Sequence, residues 1–299
     1  MTTIAGCKRV VCWGYPPSDK HSHRWIWNSF ARAARKMGIE GVCVEGTDDD
    51  RLALRAGDMV FAIDIWDDRL APAIPGVKYV LHNFSGDHPI FDSPMKDDQF
   101  LRLQVYTSTA AGEKLGPCRY WLAENRTLTQ PWGTDLFAEE FYEPVFNAGS
   151  REALFVGAVW DTSGQGNASE ITELREVLYA NGMQFVHRTQ ITEEEMIVLI
   201  RGARLAPAIA GFWQVANNYL PCRVFKNVSY GQLAITNVPR FFDLFQDCSL
   251  DAVTMPELIA EALTLKRDQW MSMVLDQQRV VAKFTYRESL CAIEEAFSR

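Results

Sequence analysis

Pro221-Cys222-Arg223-Val224-Phe225-Lys226-Asn227-Val228-Ser229-Tyr230-Gly231 is the stretch on which the fold of this chain turns. Val224 to Tyr230 predicts one or two helical turns, with Arg223 just before them and Lys226 one turn later. Leu233-Ala234-Ile235-Thr236 beyond it predicts a strand. A cation at a helix start is the chemistry that a diphosphate needs, because backbone N–H groups, the positive dipole end and a forked guanidinium act on one anion. The alternative for Arg223 and Lys226 is a solvated helix face.

Working outward, the second half repeats strand and helix. Ala153 to Gly157 opens a strand, and Ser163-Gly164-Gln165-Gly166-Asn167 leads into a helix that Asn167 and Glu170 are spaced to cap and Gly182 to end. Met183 to Val186 is a strand, Thr192-x-x-Glu195 a second capping box, and Leu205 to Ile209 another strand. Thr254-x-x-Glu257 starts a helical tail. The first half has the same grammar. Val10 to Trp13, Gly41 to Val44, Met59 to Ile63, Tyr79 to Leu81 and Leu103 to Tyr106 are apolar strands. Trp25, Ile26, Phe30, Ala33, Ala34 and Met37 mark an amphipathic helix ended by Gly38. Such alternation predicts parallel sheets covered on both faces.

With 299 residues, two domains are expected. The boundaries read from the pattern are 1–148 for a first domain, 149–284 for a second and 285–299 for a C-terminal helix, with Phe141 to Ser150 as linker. The fold class is α/β: two doubly wound, Rossmann-like domains facing a cleft, the last helix crossing back to the first domain.

From Leu220 onward the chain resembles the C-terminal domain of GT-B glycosyltransferases, especially the spore-maturation-protein-like group. Members carry a Pro-x-Arg-x-Phe-(Glu)-x-x-(small)-x-Gly run, a strand, a downstream Phe and a terminal Thr-Tyr-x-x-Arg-like helix. Here Pro221 to Gly231 is followed by Leu233 to Asn237, Phe241, Leu244-Phe245 and Phe284-Thr285-Tyr286-Arg287. Gln130-Pro131-Trp132-Gly133-Thr134-Asp135 is similar to the segment that closes the second domain in several such enzymes. The resemblance implies transfer of a sugar from a nucleotide-diphosphate sugar to a hydroxyl acceptor, a glycan first, without a metal or another cofactor. Where many GT-B enzymes carry a glutamate that accepts from the donor ribose, five residues before the glycine, this chain has Lys226. A lysine only donates, so either Lys226 reads phosphate, or the ribose is held elsewhere, or donor binding is lost.

The donor-side candidates are Arg223, Lys226, Asn227, Tyr230, Gly157, Gly164, Trp213, Gln214, Tyr219 and Asn237. Trp213 and Tyr219 offer aromatic faces, although aromatics are more often core than ligand platforms. In inverting GT-B enzymes the base that accepts the acceptor's proton often follows the first strand. Here that loop supplies His23, first choice because it would start the helix, with His21 and Asp19 as alternates. Exposed polar loop residues are the competing interpretation. Gly14, Tyr15, Asp64 and Asp87 are acceptor-side candidates at strand ends. Asp64-Ile65-Trp66-Asp67-Asp68 is superficially similar to the Asp-x-Asp metal motif of the other glycosyltransferase fold, and Asp48-Asp49-Asp50 reads as a solvated turn.

The competing functions are a nucleotide-sugar epimerase or hydrolase on the same fold, and a non-catalytic nucleotide- or glycan-binding protein. A net charge of -8 argues against a broad nucleic-acid surface while leaving a local basic groove open. Seven scattered cysteines without a Cys-x-x-Cys pair read as reduced thiols, and a metal at the His21-x-His23 pair is disfavoured because no partner ligands stand nearby at motif spacing. No apolar run is long enough to span a membrane and no signal-peptide pattern opens the chain, so a cytoplasmic protein is expected.

Overall fold

The computed structural model describes residues 3–19, 22–63, 70–82, 97–106, 112–250, 252 and 254–299. The chain forms two compact units, Met1–Pro131 with Tyr286–Arg299, and Trp132–Thr285.

Unit 1 is a sheet of eight strands among the described residues. Its strands are β1 (Arg9–Trp13), β2 (Glu40–Val44), β3 (Asp58–Ile63), β4 (Lys78–His82), β5 (Phe100–Gln104), β6 (Glu113–Gly116), β7 (Arg119–Leu122) and β8 (Thr127–Thr129). They lie in the order β2-β1-β3-β4-β5-β8-β7-β6. The first six in that order pair in parallel, and β7 and β6 close one edge antiparallel. The antiparallel hairpin was not foreseen, because its short segments interleave polar residues and give no apolar run.

The side chains of β1 alternate between faces, as a period of two demands. Val11 and Trp13 pack with Val60, Ala62, Tyr79 and Leu81 on one face. On the other lies helix α1 (His23–Lys36). Phe30 of α1 meets the Phe61 ring at 4.5 Å and the Tyr286 ring at 4.7 Å. Tyr286 opens the last helix, Tyr286–Phe297, which packs on α1 and belongs to unit 1. Asp48 to Asp50 are the first turn of a short helix, Asp48–Ala53. Thr47 accepts from the Asp50 N–H, and Asp50 accepts from the Thr47 N–H.

Unit 2 carries β9 (Glu152–Val156) and β10 (Gln184–Arg188), paired in parallel. Leu205 bridges to Ala153, and the Ala208 N–H donates to the Ile235 carbonyl at 2.8 Å. The segments 205–209 and 233–236, expected as strands, are therefore extended chain joined by isolated bonds. They are buried like strands because Leu205, Ile209, Leu233 and Ile235 enter one core with Phe155, Leu174, Leu258, Ile259, Trp270 and Val274. Hydrophobicity was read correctly there, but the regular ladder is missing.

Helix α3 (Ala168–Ala180) follows β9, and α4 (Glu193–Gly202) follows β10. Thr192 and Glu195 form the expected capping box of α4. Asn167 and Glu170 do not form one: the Asn167 amide binds the chain before the helix, and Glu170 accepts from the Phe212 N–H at 2.8 Å. The opening motif folds as α6 (Cys222–Ser229), with Val224, Phe225 and Val228 buried.

The first crossing between units falls after Pro131, not at 148/149. Thr134 donates its N–H to Phe284 O at 2.8 Å and its hydroxyl meets that of Ser229 at 2.7 Å. Tyr142 and Val145 donate to Ser229 O and Gly231 O. Residues 132–148 are tied along α6 and its exit by these bonds, so Phe141 to Ser150, read as linker, lies within unit 2.

Candidate functional site

In unit 1, β1 pairs with β2 on one side and β3 on the other, so the chain reverses its winding there. Ligands of open α/β sheets bind outside the strand carboxyl ends at such a switch point. The loop leaving β1 lies there. Gly14 has φ +86° and donates to Val44 O at 3.0 Å, which turns the chain sharply past the end of β2. Tyr15, an acceptor-side candidate, is buried. Its ring lies 5.8 Å from that of His23. His23 is the first residue of α1, as the sequence predicts, and is half-buried. The Asp19 backbone carbonyl accepts from Arg24 at 2.7 Å, which folds the loop back onto the helix start. His21, Asp64 and Asp87 lie outside the described residues.

The His23 ring also meets Trp27 at 5.7 Å and His82 at 5.4 Å. His82 ends β4, so an imidazole from the start of α1 and one from the end of β4 lie side by side in unit 1. His82 is buried, and its Nδ1 lies 3.0 Å from Leu103 O. A carbonyl only accepts, so Nδ1 carries the proton and Nε2 keeps its lone pair. Burial pushes its pKa down to about 4, partly opposed by that bond. The sequence reading passed over His82, which directly follows the strand read at 79–81. The rule that ligands gather at strand ends would have found it.

With His82 near 6.5 when unfolded and about 4 when folded, the unfolded chain binds the extra proton between those values. Stability is then full above pH 6.5 and falls by about 3 kcal/mol as pH drops to 4. His82→Gln should flatten that part of the pH–stability curve in urea titrations, and an unchanged slope would remove His82 as its cause.

In unit 2 the corresponding edge is the end of β9. Gly157 has φ +139°, and a Cβ there would sit 2.7 Å from the Arg223 Nη1. The positive φ favours glycine there, and its lack of a Cβ leaves the guanidinium room against this backbone. Arg223 lies over the Phe155 ring at 4.5 Å and donates to Val156 O at 3.4 Å. It is half-buried, and burial lowers its pKa from the ordinary guanidinium range. The His187 Nε2 donates to Gly157 O at 2.7 Å, which fixes its tautomer as well.

From Gly157 the loop runs to α3. Gly164 has φ +74° and donates its N–H to Asp161 at 3.0 Å, so that N–H is engaged in the turn. Gly166 lies under the Trp160 carbonyl and Gly211 against the Gly166 carbonyl. Added Cβ atoms would stand 1.8 and 1.9 Å from those oxygens. Asn167 is buried, accepts from the Trp160 N–H and donates to Ala158 O. These close approaches fix the loop at 157–167 against that at 210–212.

The remaining donor-side candidates divide. Trp213, Gln214 and Tyr219 are half-buried on the segment between Gly211 and α6. Gln214 accepts from the Gly211 N–H, and the Tyr219 N–H donates to Gln214 O. Asn237 exchanges two bonds with Ala210, donating to its carbonyl at 2.8 Å and accepting from its N–H at 2.9 Å. It acts as a strand substitute clamping 233–237 to 206–210.

Asn227 and Tyr230 face inward, contrary to the donor-contact expectation. Asn227 donates to Ala206 O at 2.7 Å, and Tyr230 is wholly buried with its hydroxyl 2.9 Å from both oxygens of Asp135. Both lie on the core side of an amphipathic helix or just beyond it.

Lys226 is neither a solvated face residue nor turned to an anion site. Its Nζ stands 3.5 Å from Asp135, and both side chains are buried. Burial pushes the Lys226 pKa down, but Asp135, with Cys222 and Glu193 adding, carries it above the ordinary value. Burial pushes Asp135 up, while Lys226 and the Tyr230 hydroxyl bring it below the usual carboxylate range. Tyr230 is raised well above 10 by burial and by Asp135. Asp135 escaped the sequence reading as a site residue because its partners lie ninety residues and more along the chain.

The chain matches no protein-family model and no curated protein. Among solved structures it is similar to the N-terminal domain of Candida albicans trehalose-6-phosphate phosphatase, with 12% identity, 94% of this chain and 77% of that one covered, and a TM-score of 0.47. It is also similar to OtsA in an apo structure, with 9% identity, 93% and 79% covered, and a TM-score of 0.50. At such identities the likeness concerns the fold alone. The likeness to OtsA agrees with the α/β architecture of both units, and the fold is GT-B-like.

Proposed function

We propose that this protein is a glycosyltransferase that moves a sugar from a nucleotide-diphosphate sugar to a hydroxyl acceptor, a carbohydrate first, without a metal. The observation that carries the reading is Arg223. Its guanidinium lies at the carboxyl end of β9, across a glycine that leaves it room, at the start of α6. A diphosphate placed there would take charge-assisted bonds from the fork, and the same groups would stabilise the charge that builds on the leaving diphosphate. The motif order from Pro221 to Arg287 supports kinship with the spore-maturation-protein-like group. In unit 1, His23 would accept the acceptor's hydroxyl proton, with Asp19 and His21 as alternates. A cytoplasmic setting and a small-molecule donor as the principal partner belong to the same proposal.

The test is a thermal-shift screen of nucleoside diphosphates and their sugars, followed by turnover with and without chelator. Selective stabilisation by one diphosphate sugar is expected, about 3 kcal/mol at a hundredfold excess over Kd, with turnover unaffected by chelator. No shift with any diphosphate at millimolar concentration would overturn donor binding. Turnover without acceptor, and not accelerated by one, would select an epimerase or hydrolase.

Lys226 favours one second reading. It occupies the position of the ribose-binding carboxylate in many GT-B enzymes, and here its side chain is held inward by Asp135. A protein that binds nucleotide or glycan without transfer would keep the diphosphate contact and dispense with that carboxylate. Binding without turnover on any acceptor would establish it.

A further inference from the structure

We propose that Cys12 and Cys43 form an oxidation site, at which a peroxide converts two thiols of unit 1 into a cross-strand disulfide. The two residues are direct partners in the parallel register of β1 and β2. Val11, Trp13, Val42 and Val44 belong to the core on one face of these strands. Alternation therefore sends Cys12 and Cys43 together to the opposite face, toward α1. Neighbouring strands lie about 4.8 Å apart, within the Cα separations that a disulfide spans. Both cysteines are free thiols.

The two sulfurs differ in a way that suits sequential chemistry. Cys12 is wholly buried, whereas Cys43 is half-buried and the one that a small oxidant reaches. The Cys12 thiol paired beside it lowers the Cys43 pKa against the opposing effect of burial, and the Arg35 guanidinium lowers it further. Arg35 is held in place by a 2.7 Å bond to Gly41 O, two residues before Cys43. Burial pushes Cys12 well up, so it keeps its proton until its partner has reacted.

The Cys43 thiolate attacks one peroxide oxygen. The O–O bond breaks, hydroxide leaves and takes a proton as water, and Cys43 becomes a sulfenic acid. The Cys12 sulfur then attacks the Cys43 sulfur while its proton passes to the departing hydroxyl. An S–S bond forms, the S–O bond breaks and a second water leaves. In total, two thiols and one peroxide give a disulfide and two waters. The bridge would stand two residues before Gly14, whose N–H already ties the loop to Val44, so it would fix the base of the loop that carries Tyr15.

The experiment is titration of the full chain with hydrogen peroxide, followed by alkylation and peptide mapping. The expected product has lost two hydrogens, maps to the Cys12 and Cys43 peptides and reverts with dithiothreitol. Cys43 should be consumed about tenfold faster than exposed Cys291. Cys12→Ser should leave a dimedone-reactive sulfenic acid on Cys43, and Cys43→Ser should leave Cys12 unmodified. If peroxide instead consumes Cys291 first and leaves Cys12 and Cys43 open to alkylation after unfolding, the site is overturned. The wild-type arm decides the matter even if a serine variant fails to fold.

Discussion

Replacement of Lys226 by methionine is expected to lower the unfolding free energy by about 3–5 kcal/mol, a large share of what a domain of this size has. The reason is what remains behind. Asp135 is 5% exposed, and the Lys226 ammonium is the first of the groups that offset its burial. Without it the carboxylate stays charged in a poorly solvated place, or takes up a proton at the expense of its bond from Tyr230. The double variant Lys226→Met with Asp135→Asn should recover most of the loss, since a neutral buried pair has no unpaired charge. Urea unfolding of the four proteins in this cycle gives the coupling directly. A single-variant loss below about 1 kcal/mol would mean that water reaches the pair and that it is worth no more than a surface bridge.

The same pair shapes the acid limb of stability. Asp135 titrates below the usual carboxylate range when folded. Its contribution is therefore complete above the unfolded pKa and is lost as pH falls through the folded one. Lys226 titrates above its ordinary value, so its share is present below 10.5 and fades as pH rises past the folded pKa. The Asp135→Asn chain should lack the acid component while keeping the slope expected of His82.

These residues show where sequence reading reaches and where it stops. The strands β1 to β4, β9 and β10 and the helices α1, α3 and α4 were legible because each is a local pattern: an apolar run, a 3.6-residue stripe or a capping pair. The motif from Pro221 to Gly231 likewise located α6 and Arg223. What it could not give was direction. Arg223 and Lys226 are one turn apart, yet one lies over the end of β9 and the other turns to Asp135. That difference is made by Asp135, Gly157 and Phe155, none of them adjacent in sequence. Asn167 and Glu170 carry the spacing of a capping box but are drawn off by Trp160, Ala158 and Phe212. Tertiary partners outcompeted a local bond of similar strength. His82 and His187 were missed for a further reason: a single histidine at the end of an apolar run carries no periodic signal.

Arg223→Ala should weaken binding of the preferred nucleoside diphosphate by roughly 10- to 100-fold, the value of hydrogen bonds to a charged group. Arg223→Lys should recover only part of this, because an ammonium supplies charge without the planar fork. The measurement is calorimetry on folded variants, with far-UV circular dichroism and urea midpoints alongside. Arg223 also packs on Phe155, so truncation removes some burial, and the lysine variant preserves most of that stem. A purely structural Arg223 would lower the urea midpoint and leave the diphosphate Kd unchanged in the fraction that folds. A donor-contacting Arg223 would raise Kd for the diphosphate but leave that for the bare nucleoside nearly the same, since the nucleoside has no phosphate oxygens to lose. Equal weakening of both ligands, or of neither, would remove Arg223 as the diphosphate contact and leave the donor proposal without the observation that carries it.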